Sequence, residues 1–329
     1  MVHIILVLGL FIPVNGVFAE HEQTTRSIKA DEQSTRVIDS TLFDSARLED
    51  AKPRAIPIRI YVPVGSGPFP VIVFSHGLGG TKEQYEYLLR AWAEAGYLVV
   101  TPTHAGSDYD ALWSNGRDMV RLRFLAIISS EKQRANRARD VSFILDSLPT
   151  LEKKFPELAK KIDMKHVGAA GHSFGAHTSL ALAGANVHFK DKPPKLADPR
   201  VVAAIAISPP GVGTAGFQSD SWSTISVPVL SIRGQKDNGV RGQPPQWRDG
   251  PYQGMPSDNK KCHAIVQGQH ADHMFFLGEQ KSVDKKKSLD DVTHLTVAFW
   301  NSVLKEKQQQ SFPDKAVTFS SSRMDISCK

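Results

Sequence analysis

A serine with glycines two positions before and two after it, G-H-S-F-G at residues 171–175, follows an apolar run that reads as a strand (166–170). A small-residue stretch that reads as a helix (176–185) comes after it. A side chain at the apex of such a strand-turn-helix is held out of the backbone, and strand and helix pack so closely there that the flanking positions must lack bulk. Ser173 is therefore a candidate nucleophile. The plainer reading is a glycine-rich turn whose serine caps the helix. A hydroxyl alone is a weak nucleophile near neutral pH, so the first reading also requires a base, an orienting carboxylate and donors for an oxyanion elsewhere in the chain.

Each has a candidate at the end of an apolar run. Residues 70–75 (PVIVFS) lead into His76-Gly77-Leu78-Gly79-Gly80, a loop whose backbone N–H groups can point inward without side-chain obstruction. A second inward donor is the backbone N–H of Phe174, the residue after the nucleophile. His76 itself reads as structural, bonded within this loop. Residues 228–232 (PVLSI) lead into R-G-Q-K-D, which sets Asp237 just beyond a strand end, whereas Asp220, Asp249 and Asp258 fall in Pro/Gly/Ser-rich connections and read as solvated loop charges. Residues 260–267 read as a strand and lead into G-Q-H-A-D-H-M-F-F.

Two histidines compete for the base. His273 is favoured because the run M-F-F after it can seat the loop against a core while His270 and Asp272 face solvent; a boundary shift of a few residues would put His270 in its place. His263, His270, Asp272 and His273 taken together as metal ligands match no spacing of defined geometry.

The elements that must carry these loops alternate along the chain. Strands at 57–62, 71–75, 98–102, 167–170, 201–207, 229–232 and 264–267 are separated by helical stretches near 83–94, 115–147, 176–185 and 290–305. The fold class is α/β: a doubly wound, mostly parallel sheet with helices on both faces and every candidate residue on a strand-end loop. There is no internal repeat and no phosphate-cradling loop after the first strand.

The order Ser173, Asp237, His273 is that of α/β-hydrolases. The segments FPVIVFSHGLGGTKEQY, GYLVVTPTHAGSD and GHSFGAHTSLALAGA resemble the α/β-hydrolase branch holding platelet-activating-factor acetylhydrolases and the bacterial predicted dienelactone hydrolases. The likeness extends to LFDSARLEDAKPRAIPIRIYVP as a first strand, RANRARDVSFILDSL as a long helix, IRGQKDNGVRG as an acid loop, GQHADHMFFLG as a histidine loop and HLTVAFWNSVLK as a closing helix, and so covers residues 41–305. The resemblance implies an α/β-hydrolase fold, catalytic Ser173, Asp237 and His273, and oxyanion donors at the backbone of Leu78 and Phe174. It implies a serine esterase that needs no metal or organic cofactor. True dienelactone hydrolases carry cysteine at the elbow where this chain has Ser173, so thiol chemistry and a dienelactone substrate do not carry over, and the resemblance implies serine esterase chemistry only.

At 329 residues, 41% hydrophobic and 22% charged, the chain suits one catalytic domain, expected over 41–306, with a C-terminal tail at 307–329. Residues 4–14 are apolar but too short to span a bilayer, and V-F-A at 17–19 resembles a cleavage site, so residues 1–19 read as a signal peptide and 20–40 as a flexible leader. The expectation is an exported protein without stable membrane insertion. Export permits one disulfide between Cys262 and Cys328, while a buried thiol on the strand fits Cys262 equally. A net charge of +6, spread over patches interleaved with acids, reads as solvated surface, and no nucleic-acid module is present.

Loops at 103–116, 209–227 and 238–259 are expected to border the cleft, which makes Trp113, Phe217, Trp222 and Trp247 candidate substrate contacts, each equally able to pack its own loop. The expected substrate is a small-molecule or polymeric ester. A non-catalytic binding protein on the same scaffold would show a broken triad, and a peptidase would usually add a gating domain; neither feature is seen. Oligomeric state is not encoded in any motif.

Overall fold

The computed structural model describes residues 35–114, 116, 118–191, 194–258, 260–278, 282–305, 312 and 316–329. The proposed signal peptide and most of the leader lie outside these residues. The first half of the fold runs β1 (Arg36–Glu49), β2 (Lys52–Val62), β3 (Phe69–Ser75), α1 (Glu86–Glu94), β4 (Leu98–Pro102), α2 (Tyr109–Trp113), α3 (Val120–Ser129) and α4 (Glu131–Lys154). The second half runs β5 (Ile162–His172), α5 (Phe174–Leu182), β6 (Val201–Ile207), β7 (Val229–Gly234), α6 (Gly250–Gly254), β8 (Lys261–Val266), α7 (Val283–Leu304) and β9 (Met324–Cys328).

The strands form a single sheet in the order β1-β2-β4-β3-β5-β6-β7-β8-β9. From β4 to β8 every pairing is parallel, and antiparallel pairs close both edges. Strands such as β6 (VVAAIAI) are apolar throughout because helices cover both faces. Successive residues still part by face: Val71 and Val73 pack with Ile144, Leu148 and Leu180 on the α4/α5 side, Ile72 and Phe74 with Leu89, Trp92 and Trp300 on the α1/α7 side. The outermost β1 alternates instead, and its hairpin to β2 turns through Asp50 and Ala51, both at positive φ (49° and 62°), as a two-residue turn matched to strand twist requires.

Four expectations change. Arg36 to Ser40, read as leader, are the start of β1 and pair with Val62 to Ile58 of β2. The C-terminal tail contains β9, which pairs with β8, and Cys262 and Cys328 are bonded across that pair. The helix expected at 115–147 is two helices, broken where Ser130 leaves the helical conformation and its side chain accepts the N–H of Gln133 at 3.3 Å to start α4. That Ser-x-x-Gln spacing is a helix-start signal within the sequence. The closing helix begins at Val283, well before the expected 290.

Among the described residues no helix is long and apolar enough to cross a membrane.

Candidate active site

Ser173 sits between β5 and α5 at φ 55° and ψ −114°, a conformation that non-glycine residues rarely adopt. The neighbouring glycines make this possible. A Cβ on Gly175 would overlap the carbonyl oxygen of Ser75 at the end of β3, and one on Gly171 would overlap the backbone of Gly175. The N–H of Ser173 donates to the Ile207 carbonyl at 2.8 Å and ties the turn to β6.

The ends of β7 and β8 bring the other two residues in. The Ser173 hydroxyl oxygen lies 3.0 Å from His273 Nε2, and His273 Nδ1 lies 2.8 Å from Asp237 Oδ1. His273 opens a 3-10 turn, His273–Leu277, seated by the buried Phe275 and Phe276, as its M-F-F run suggests. His270 faces elsewhere and is not merely solvated: its Nε2 is 3.1 Å from the Ser288 hydroxyl and its ring lies beside Phe275. Asp272 is exposed and caps the 3-10 turn.

Asp237 is fully buried. Burial pushes its pKa up, but the charges of His273 and Arg248 and the bonds from His273 and Ser208 outweigh it and hold the carboxyl below the usual range. Ser208 donates its hydroxyl to Asp237 Oδ2, and Arg248 Nε stands 2.7 Å from Oδ1. Neither residue was marked by a motif.

The loop after β3 is held by buried polar groups. His76 Nδ1–H donates to the Gly77 carbonyl at 2.6 Å and its Nε2 accepts the His104 N–H at 3.0 Å, so this imidazole is neutral and structural, and burial pushes its pKa well down. The guanidinium of Arg137, on α4, donates to the His76 carbonyl, to Ser107 Oγ at 2.8 Å and to Thr178 Oγ1 at 3.1 Å, and lies 4.8 Å over the Phe174 ring. Within the loop the N–H groups of Gly79 and Gly80 go to the carbonyls of Ser107 and Gly77, and no acceptor among the described residues takes that of Leu78. The Phe174 N–H is the first of α5 and so has no partner within the helix.

A cavity of about 230 Å³ opens beside Ser173 and His273, walled by Phe124 and Ile128 of α3, Pro210, Thr214, Val240 and Trp247. A larger recess, about 490 Å³, lies at the opposite end of β3 around Phe69, Gly96 and Lys305 and touches none of this chemistry. Of the aromatic candidates only Trp247 lines the cavity. Phe217 and Trp222 are buried in the core with their rings 5.1 Å apart, because their loop folds back on α5, where the Phe217 ring packs at a tilt on that of His177. Trp113 packs its ring 6.2 Å from that of Tyr109, away from the cavity.

The acidic residues set aside as loop charges divide. Asp220 is exposed beside His188. Asp258 receives Lys261 Nζ at 2.9 Å. Asp249 is no solvated charge: it accepts from Arg233 and from His263 Nε2 at 3.0 Å. Among the described residues no cluster of three metal-ligating side chains occurs, and His263 is occupied by Asp249.

The sequence of residues 15–218, well over half of the chain, matches the family model of chlorophyllase. The chain belongs to the chlorophyllase family. Its fold is that of an α/β-hydrolase, and the protein is a hydrolase. The chlorophyllase match takes in Ser173 and the loop at Leu78 but ends before Asp237 and His273. The match names chlorophyllase and does not extend to the acetylhydrolase branch whose motifs the sequence resembles. A solved 2,6-dihydroxy-pseudo-oxynicotine hydrolase is similar in structure, with a TM-score of 0.52 at 17% identity over 84% of this chain and 70% of that one; at such identity the likeness extends to the fold. No curated protein matches the chain.

Proposed function

We propose that the protein is an exported serine esterase that cleaves carboxylic esters through an acyl-enzyme. The observation that carries the reading is the hydrogen-bonded line from Ser173 through His273 to the buried Asp237, at 3.0 and 2.8 Å.

In this reading His273 Nε2 takes the Ser173 proton as the oxygen attacks the ester carbonyl, and Asp237 keeps the other ring nitrogen protonated and the ring oriented. Negative charge on the carbonyl oxygen falls to the backbone N–H groups of Leu78 and Phe174. His273 returns the proton to the leaving alcohol, and a water activated by the same nitrogen then releases the acid and frees Ser173. Nothing in this sequence calls for a metal or cofactor.

The apolar cavity favours an uncharged ester with a compact apolar group; the ester of chlorophyll, after which the family is named, is one member of the panel to try. The test is hydrolysis of p-nitrophenyl esters of graded chain length, with fluorophosphonate labelling of wild type and Ser173→Ala. Folded wild-type protein that does neither would sink the reading. Export is checked separately by the mass of protein recovered from its native host, which should begin at Glu20.

A further inference from the structure

Arg248 lines the active-site cavity, yet it has nothing left for a substrate. Its Nη1 donates to the carbonyls of Ser208 and Pro209 at 2.8 and 3.1 Å, its Nη2 to that of Asn238 at 3.0 Å and its Nε to that of Asp237 at 2.9 Å. The fifth N–H points at His273, with Nη2 3.1 Å from Nδ1. Nδ1 is already a donor to Asp237, so this approach is no hydrogen bond: it sets a fixed positive charge against the ring that must become an imidazolium.

Resting on the esterase reading, we propose that Arg248 is a positioning residue: it shares the Asp237 carboxylate with His273, fixing the acid in place and offsetting its charge, so that activity extends to lower pH than the Asp237–His273 pair alone would allow.

Two features of the geometry support this. The four carbonyls come from the loops after β6 and β7, so one planar guanidinium ties the acid's own backbone to the neighbouring strand end, a task for a rigid fork of donors and not for a lysine. Asp237 is fully buried, and with a neutral His273 it would stand as a lone buried anion, whereas with Arg248 the resting pair is neutral.

The other titratable groups nearby leave this charge unopposed. His172, from the end of β5, packs on the His273 ring and is kept neutral by burial and the nearby His273. Arg233 of β7 is taken by Asp249, which also holds His263 of β8, and Asp272 beside His273 is exposed and caps its own turn. The three consecutive residues of the 3-10 turn Pro245–Asp249 thus divide the work: Trp247 walls the cavity, Arg248 holds the acid, and Asp249 anchors the turn to β7 and β8.

The experiment is the pH dependence of kcat/KM on p-nitrophenyl butyrate for wild type, Arg248→Gln and Arg248→Lys, with Ser173→Ala as the blank. In Arg248→Gln the acid limb should move up by about one pH unit, and kcat should fall by about 10- to 100-fold with a much smaller change in KM. Arg248→Lys keeps the charge and loses the fork, so kcat should fall while the limb stays within about 0.3 unit of wild type. A limb that stays put in Arg248→Gln, or that moves as far in Arg248→Lys, overturns the proposal in favour of a structural role. Should Arg248→Gln not fold, the lysine variant decides alone, since a displaced limb with the charge retained contradicts it. Wild-type protein inert toward the ester would instead remove the esterase reading on which the proposal stands.

Discussion

His172 packs on His273 with ring centroids 4.6 Å apart and ring planes tilted by 35°, and its Nε2–H donates to the main-chain carbonyl of His273 at 3.2 Å. Its other nitrogen accepts from the Tyr85 hydroxyl at 2.8 Å, and burial keeps the ring neutral. The residue before the proposed nucleophile therefore supports the proposed base. His172→Ala should lower kcat by about 10- to 100-fold with KM nearly unchanged, because the His273 ring loses its platform. Tyr85→Phe, which removes only the outer bond, should cost less than about tenfold. Steady-state kinetics on the folded variants decides, and equal activity in His172→Ala and wild type would refute the platform role.

The two histidines of the loop after β8 separate by substitution. His273→Ala should reduce kcat by about four orders of magnitude, and Asp237→Asn should fall in the same class. His270→Ala should cost about tenfold or less, since its Nε2 is engaged by Ser288 and not by Ser173. A reversed ranking would move the base to His270.

Gly175→Ala should prevent folding or destabilise by more than about 3 kcal/mol, because its Cβ has no space beside the Ser75 carbonyl and both partners are backbone. Thermal melting and soluble yield are the readouts. A well-folded variant would show that the elbow relaxes more readily than its packing indicates.

Acid should unfold the protein through its buried imidazoles. Burial, aided by the Arg137 charge and opposed by Asp140, pushes His104 down to about 3; burial pushes His177 to about 3 as well. Unfolded histidines titrate near 6.5, so below that pH the unfolded chain binds protons that the folded one refuses. Stability is then complete above about 6.5 and falls progressively toward pH 3. The urea midpoint at pH 4.5 should lie clearly below that at pH 7, and a flat midpoint would mean these rings are protonated without penalty.

The Cys262–Cys328 bond closes a separation of 66 residues. Chain-entropy arguments give such a loop roughly 4 kcal/mol as an upper figure, so reduction or Cys328→Ser should lower the melting temperature substantially. The bond sits at the start of β8, away from the loop bearing His273, and kcat/KM at low temperature should change little.

Much of the candidate site is legible in the sequence because Ser173 and Asp237 stand just beyond runs that read as strands, and the fold brings such strand ends to one edge. His273 lies further along its loop and is marked out by the M-F-F run that seats it. Arg248 is not, since its role depends on four carbonyls from two distant loops and on a 3-10 turn in a Pro/Gly-rich stretch without periodicity. Phe217 and Trp222 mislead for the converse reason: an aromatic in a long loop looks available, but the loop spends it on its own packing. The start of β1 and all of β9 escape notice as edge-strand segments, whose half-exposed residues carry weak apolar patterns, although the alternation of buried Met324 with exposed Asp325 is visible once the partner strand is known.

Arg137 touches both loops whose backbone N–H groups would receive the oxyanion: it holds the His76 carbonyl at the start of one and lies against the Phe174 ring at the start of the other. In the proposed reaction this buried side chain helps to fix the spacing between the two donors when the protein folds, together with the pairing of Ser75 with Gly171 and the close approach of Gly175 to the Ser75 carbonyl. No reorientation of dipoles need accompany the appearance of charge on a bound carbonyl, and the free energy that water would spend turning toward that charge is expended once per molecule during folding instead of once per turnover.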